Sequence, residues 1–167
     1  VRLVNRDRMW HYTEGVRNTD PIWPDHGIRI LPGPSSLWFD ALGRRLPPPG
    51  LPGHDTLGTL RLLRTTPGLE GHSHSWFVAT EKIVEREFAL SGSEQNPDLT
   101  GKDVRELLRQ RLGRGAPGPV ERFTREGVDF VVAPTLDELF VGMRRMSSVE
   151  IDTETMRYEI ESRDRPL

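Results

Sequence analysis

An α+β fold, with a small mixed or antiparallel sheet and helices packed on it, is what this sequence predicts, and three observations predict it. Short apolar runs of strand length, bounded by Pro and Gly, occupy residues 27–40. Helical stripes of Leu, Ile, Val and Met dominate from residue 81 onward. Strands and helices then follow one another in irregular order, with no internal repeat.

Thr13-Glu14-Gly15-Val16-Arg17 sets a carboxylate and a guanidinium three residues apart, which on a turn or helix start lets them pair. Gly27–Leu31 and Ser36–Asp40 read as strands joined by Pro32-Gly33-Pro34, and a hairpin is their simplest arrangement. Ala41–Arg44 turns the chain. Pro47 to Gly53 forms a semi-rigid connector, because proline fixes φ and lacks the amide donor. From Thr56, the spacing of Leu57, Leu60 and Leu63 predicts a helix. Trp76–Ala79 reads as a strand, and Glu81–Leu90 as a helix turning Ile83, Val84 and Phe88 inward. Thr100-Gly101-Lys102-Asp103 resembles a capping box ahead of the stripe Val104, Leu107, Leu108 and Leu112, and Gly113 stops that helix. Val120–Arg125 reads as a helical turn and Val128–Val132 as a β-branched strand. Thr135–Glu138 is a full capping box opening a helix with Leu136, Leu139, Phe140 and Met143 on one face, and Asp152 caps a last helix bearing Met156 and Ile160.

A chain of 167 residues buries one respectable core. Nine of the fourteen prolines and all five histidines precede residue 75, so the organisation divides near Pro67-Gly68. Residues 1–66 form a Pro/His-rich junction and strand region, and 67–167 a helix-rich region of the same compact unit. With 23 basic against 25 acidic residues and a net charge of -2, no global field favours nucleic acid or an anionic membrane. The absence of cysteine removes disulfides and thiolate chemistry and fits a reducing compartment, so the cytoplasm is the expected setting. No apolar run approaches a bilayer span, and Val1–Asp7 is too polar for a signal peptide. The chain lacks an initiator methionine, and both ends read as interior sequence of a longer protein.

Few residues carry chemistry by type and spacing. His72-Ser73-His74 could place two imidazoles on one side of a strand, but a zinc site needs three or four ligands, so a solvated turn is the better reading and no metal is expected. Gly113-Arg114-Gly115 follows a helix, the wrong side for cradling phosphate. The four tryptophans read as core anchors.

The order of features resembles the central region of flavin-dependent dehydrogenases of the fumarate reductase and 3-ketosteroid dehydrogenase type. Thr13-Glu14-Gly15-Val16-Arg17 matches that family's Thr-Glu-x-x-Arg segment, Leu37–Asp40 its strand, and Gly43-Arg44-Arg45-Leu46 its Gly-x-Arg turn. Trp10–Gly15 and Gly33–Trp38 are similar to segments of bacterial FAD-binding dehydrogenases. The resemblance implies FAD as cofactor, Glu14 and Arg17 as a proton relay, and Thr13 and Arg45 as substrate-binding groups. After Arg45 the chain departs from the family, with Pro47-Pro48-Pro49 and then Gly53-His54-Asp55 where the catalytic arginine or tyrosine would stand. His54 is therefore the candidate acid or base and Asp55 a candidate substrate-binding group.

No Gly-x-Gly-x-x-Gly follows a strand, so the expectation is a chain that binds no FAD alone. On that reading it is a substrate-covering cap that works with the rest of a flavoprotein chain and a small-molecule substrate. A stand-alone, non-catalytic α+β binding or assembly module is the alternative, and a His-dependent metal hydrolase a third reading.

Overall fold

The computed structural model describes residues 15–24, 26–31, 33–47, 56–69, 74–90, 103–113 and 118–163. The described elements are strands β1 (Gly15–Arg17), β2 (Gly27–Leu31), β3 (Leu37–Phe39), β4 (Trp76–Val78) and β5 (Ala89–Leu90). Helices are α1 (Thr56–Thr65), α2 (Glu81–Arg86), α3 (Val104–Leu112), α4 (Gly118–Glu126), α5 (Leu136–Met146) and α6 (Thr153–Arg163).

Two small antiparallel sheets organise these elements. One has the order β1-β2-β5, with Val16 opposite Ile28 and Ile30 opposite Leu90. The other pairs β3 with β4, setting Phe39 opposite Trp76 and Trp38 opposite Phe77. The expected hairpin between residues 27–31 and 36–40 is therefore not formed. Gly33, at φ 84°, redirects the chain so that each strand finds its partner elsewhere. Segment 15–17 is an edge strand rather than a turn or helix start, and 128–132 contains no regular strand. Strand-forming composition at 128–132 gives way to tertiary contacts, because Phe130 packs against Phe88 and Phe123 with ring centroids 6.3 Å away in each case. The helix at Glu81 ends at Arg86, and Phe88 then enters the core beside β5.

Each sheet backs its own apolar cluster. Ile28, Ile30, Phe88, Val120 and Phe123 form the first. Leu37, Phe39, Phe140, Met143, Ile151 and Met156 form the second, where α5 and α6 cross β3. Capping follows the sequence closely. The Thr135 hydroxyl accepts from the Glu138 amide at 3.3 Å, and the Thr80 hydroxyl from the Ile83 amide at 3.4 Å. Asp152 accepts from the Thr155 amide at 3.0 Å and the Thr155 hydroxyl at 2.6 Å, fixing the start of α6.

These caps and links make stability pH-dependent. Hydrogen bonds from the Thr155 side chain and amide hold the Asp152 carboxyl below its ordinary range. Hydrogen bonds from Ser35 do the same for Glu87, whose Oε2 receives the Ser35 amide at 2.9 Å. A folded-state pKa below the unfolded value means the stabilisation is complete above the unfolded range, about 4. It is lost as pH falls through the depressed values. Thermal unfolding followed by circular dichroism should therefore be flat from neutrality to roughly pH 5 and decline below roughly pH 4. A double Glu87→Gln, Asp152→Asn protein should show a shallower fall.

Candidate functional site

A cavity of about 810 Å³ lies between the two clusters. Ile30 and Phe88 reach it from the first cluster and Met143 from the second, so both cores form its floor. Its sides come from β1, from Leu60 and Leu63 of α1, from residues 74–79, from Asp129–Val131, and from Leu139 and Met146 of α5. The volume falls within the range of small-molecule and cofactor sites.

Strand β4 supplies the aromatic wall. Trp38 and Phe77 stack on this strand pair with centroids 4.6 Å apart, and the Trp38 indole N–H donates to the Ser75 hydroxyl at 2.9 Å. His74 meets Trp76 edge to face at 5.2 Å. The Trp76 Nε1 is buried and has no hydrogen-bond partner among the described residues. A buried donor left without an acceptor costs roughly 1–3 kcal/mol, so this wall contains polar capacity that the described residues do not use.

At the cavity edge, Arg17 and Asp129 form a clamp across 112 residues of sequence. Asp129 accepts from the Arg17 amide at 2.6 Å, from Nε at 3.0 Å and from Nη2 at 2.8 Å. One carboxylate thus terminates the outer edge of β1 through Oδ2 and holds Nε and Nη2 of the guanidinium together on Oδ1. Burial opposes ionisation of Asp129, but the hydrogen bonds from Arg17 and its charge outweigh burial and hold the carboxyl below its usual range. The same hydrogen bonds raise the Arg17 pKa, so Arg17 is a permanent cation at the cavity.

The predicted site residues are only partly brought together. Arg17 lines the cavity, whereas Arg45 does not; its guanidinium pairs with Glu159 of α6 at 3.1 Å, beside the bridge between Phe39 and Arg45. Thr13, Glu14, His54 and Asp55 lie outside the described residues, as do His72 and Ser73. Among the described residues, no group of three or more His, Cys, Asp or Glu gathers to hold a metal ion. No described helix is long and apolar enough to cross a membrane. Sequence reasoning missed Asp129 as the partner of Arg17, since nothing local links positions 112 residues apart. It also missed residues 60–63 and 139–146 as cavity walls, although their helical stripes were legible.

Comparison with known proteins decides the family. A model of the family described as FAD binding domain matches residues 1–165. The chain belongs to that family. Two proteins called KsdD-like steroid dehydrogenase, from Mycobacterium tuberculosis strains CDC 1551 / Oshkosh and ATCC 25618 / H37Rv, are each 56% identical to it over 166 residues. That alignment covers 99% of this chain and 29% of each relative. A protein of the same name from Mycolicibacterium smegmatis is 53% identical over 168 residues, 100% of this chain and 30% of the relative. The chain thus spans less than a third of the length of these relatives. No solved structure matches it.

Membership in the FAD-binding-domain family supports the resemblance to FAD-dependent dehydrogenases of the fumarate reductase and 3-ketosteroid dehydrogenase type. It also overturns the expectations of a cap region unable to hold FAD and of no cofactor in this chain alone, because the match runs across nearly the whole sequence. The physical reason is that the glycine fingerprint reports only the turn under the pyrophosphate, whereas an FAD-binding domain also contacts the ring and ribityl parts through surfaces with no such signature. Gly113, Gly115 and Gly118 do have the Gly-x-Gly-x-x-Gly spacing. They follow α3 rather than a strand, so this spacing lacks the strand–turn–helix setting of the dinucleotide fingerprint.

Proposed function

We propose that this chain is the FAD-binding part of a flavin-dependent dehydrogenase acting on a steroid-like ring substrate. The single observation carrying the reading is the FAD binding domain match over residues 1–165. The steroid dehydrogenase name of relatives 53–56% identical supports the substrate class.

The residues present fit the ring portion of such a cofactor. Trp76 and Phe77 offer flat surfaces, Ile30, Phe88 and Met143 an apolar floor, and Trp76 Nε1 a donor lacking an acceptor among the described residues. FAD held there would supply the hydride acceptor that a dehydrogenase requires. The chain's own contribution is to bind, orient and exclude water. The apolar floor removes solvent, and the clamped Arg17 holds hydrogen-bond donors at one edge of the cavity. Proton exchange falls to Glu14, three residues before Arg17, and Thr13 contacts substrate, roles that the family resemblance supports; His54 as acid or base and Asp55 as a substrate contact rest on residue type, at the point where the chain departs from the family. The rest of a flavoprotein chain is the proposed partner, since the relatives are more than three times as long as the stretch they share with this chain.

Adding FAD to the purified protein and removing the excess by desalting tests the reading. Flavin near one equivalent should remain, with its fluorescence quenched by the aromatic wall. A folded protein that emerges flavin-free would sink it. A steroid ketone should then perturb the visible spectrum of the retained flavin.

A further inference from the structure

We propose that the Arg17–Asp129 pair is a specificity determinant of the cavity, presenting hydrogen-bond donors without net charge and so selecting an uncharged carbonyl oxygen over a carboxylate. The inference stands on the clamp and the cavity, and it goes beyond the flavin reading.

Arg17 spends Nε and Nη2 on Asp129, and among the described residues Nη1 has no hydrogen-bond partner. Both residues line the cavity, so the remaining guanidinium edge belongs to the same space as the aromatic wall. A free guanidinium attracts anions by charge and by its two-point fork. Here the fork is already occupied by a carboxylate with Nη2 at 2.8 Å, and the pair is neutral as a unit. A second carboxylate brought to Nη1 would meet the Asp129 charge close by, and Nη1 itself lies on a side chain that is 70% exposed, so the Asp129 charge is what disfavours it. A carbonyl oxygen avoids that repulsion, because it accepts one hydrogen bond and brings no charge beside Asp129. Asp129 acts here through Arg17, as a positioning residue that also cancels its charge.

Carbonyl oxygens of this kind occur both on the flavin ring and on a ring ketone substrate, and the test separates the two sources. Acetylnaphthalene and naphthoate have the same ring and differ in presenting a neutral carbonyl or a carboxylate. Equilibrium binding by fluorescence at low ionic strength should favour acetylnaphthalene by roughly tenfold in the wild-type protein. Asp129→Asn keeps an acceptor oxygen for Arg17 but uncovers its charge, so the ratio should move roughly tenfold toward naphthoate. Asp129→Glu keeps the charge and should keep the wild-type preference, a rescue that a purely structural role would not predict. In Arg17→Gln the Asp129→Asn shift should disappear.

Displacement of acetylnaphthalene by lumiflavin would give the carbonyl to the flavin, and simultaneous binding would give it to a second ring. The inference is overturned if neither probe binds, if the wild type prefers naphthoate, or if Asp129→Asn leaves the ratio unchanged while its thermal unfolding remains cooperative. FAD retention without this preference removes the inference alone. The preference without FAD retention removes only the flavin reading.

Discussion

Gly43→Ala is expected to lower stability by about 2–5 kcal/mol, more than the same substitution at Gly68, which shares its backbone geometry. Gly43 has φ 84°, where a Cβ costs roughly 1–2 kcal/mol by crowding its own carbonyl. Its new methyl would also lie 2.9 Å from Ile151 Cγ2, 3.0 Å from the Asp152 carbonyl and 3.0 Å from Met156 Sδ. None of the three yields easily. Ile151 and Met156 are buried in the second cluster, and the Asp152 amide donates to the Leu42 carbonyl at 2.9 Å, which seats the turn on the start of α6. The turn itself is fixed by Asp40, whose buried carboxylate accepts from the Leu42 amide, the Arg44 amide and Arg44 Nε within 3.0 Å. Gly68→Ala is the matched control. Gly68 also has φ 84°, but among the described residues its added Cβ would find only Leu42 Cδ1 at 3.9 Å. It should therefore cost about 1–2 kcal/mol, the backbone penalty alone. Urea unfolding of both proteins separates the two contributions, and equal losses would show that the contact with α6 has little energetic weight.

The contrast between Gly43 and Gly68 shows what a sequence makes legible. A turn at 41–44 follows from Ala-Leu-Gly-Arg between apolar runs, and the structure has it. That Gly43 also touches α6, more than a hundred residues later, has no local signature. Helices at 56–65, 104–112, 136–146 and 153–163 follow from apolar spacing and caps. The stripes of 136–146 and 153–163 are buried at Phe140, Met143 and Met156, whereas Val104, Leu108 and Leu112 stay exposed among the described residues. Strand pairing failed differently. Residues 27–31 and 37–39 are strands, yet they enter different sheets, since composition specifies a strand but not which edge it joins. Edge strand β1 was misread because Gly15-Val16-Arg17 is held by β2 on one side and the Asp129 side chain on the other. The candidate site was legible at Arg17 only. Its cavity is assembled from seven stretches of chain, and the property that gives Arg17 its character belongs to a residue 112 positions away.

Phe39→Ala should cost about 3–5 kcal/mol and weaken ligand binding in the cavity, although Phe39 does not line it. Phe39 is fully buried, paired in register with Trp76, and packed among Phe140, Met143 and Met156. Removing its ring leaves a void directly behind Trp76 and Met143, and both of those residues line the cavity. Relaxation into that void draws the aromatic wall away from the ligand, so stability and affinity should fall together. Phe39→Leu conserves most of the volume, so it should cost less than about 1.5 kcal/mol and keep the wall in place. The measurement is urea unfolding alongside acetylnaphthalene binding for both variants. If Phe39→Ala loses stability while its affinity stays at the wild-type value, then β4 holds its position without β3, and the cavity wall depends on α5 rather than on the strand pair. If affinity falls in Ala and is preserved in Leu, the buried face of β3 sets the shape of a site it never touches.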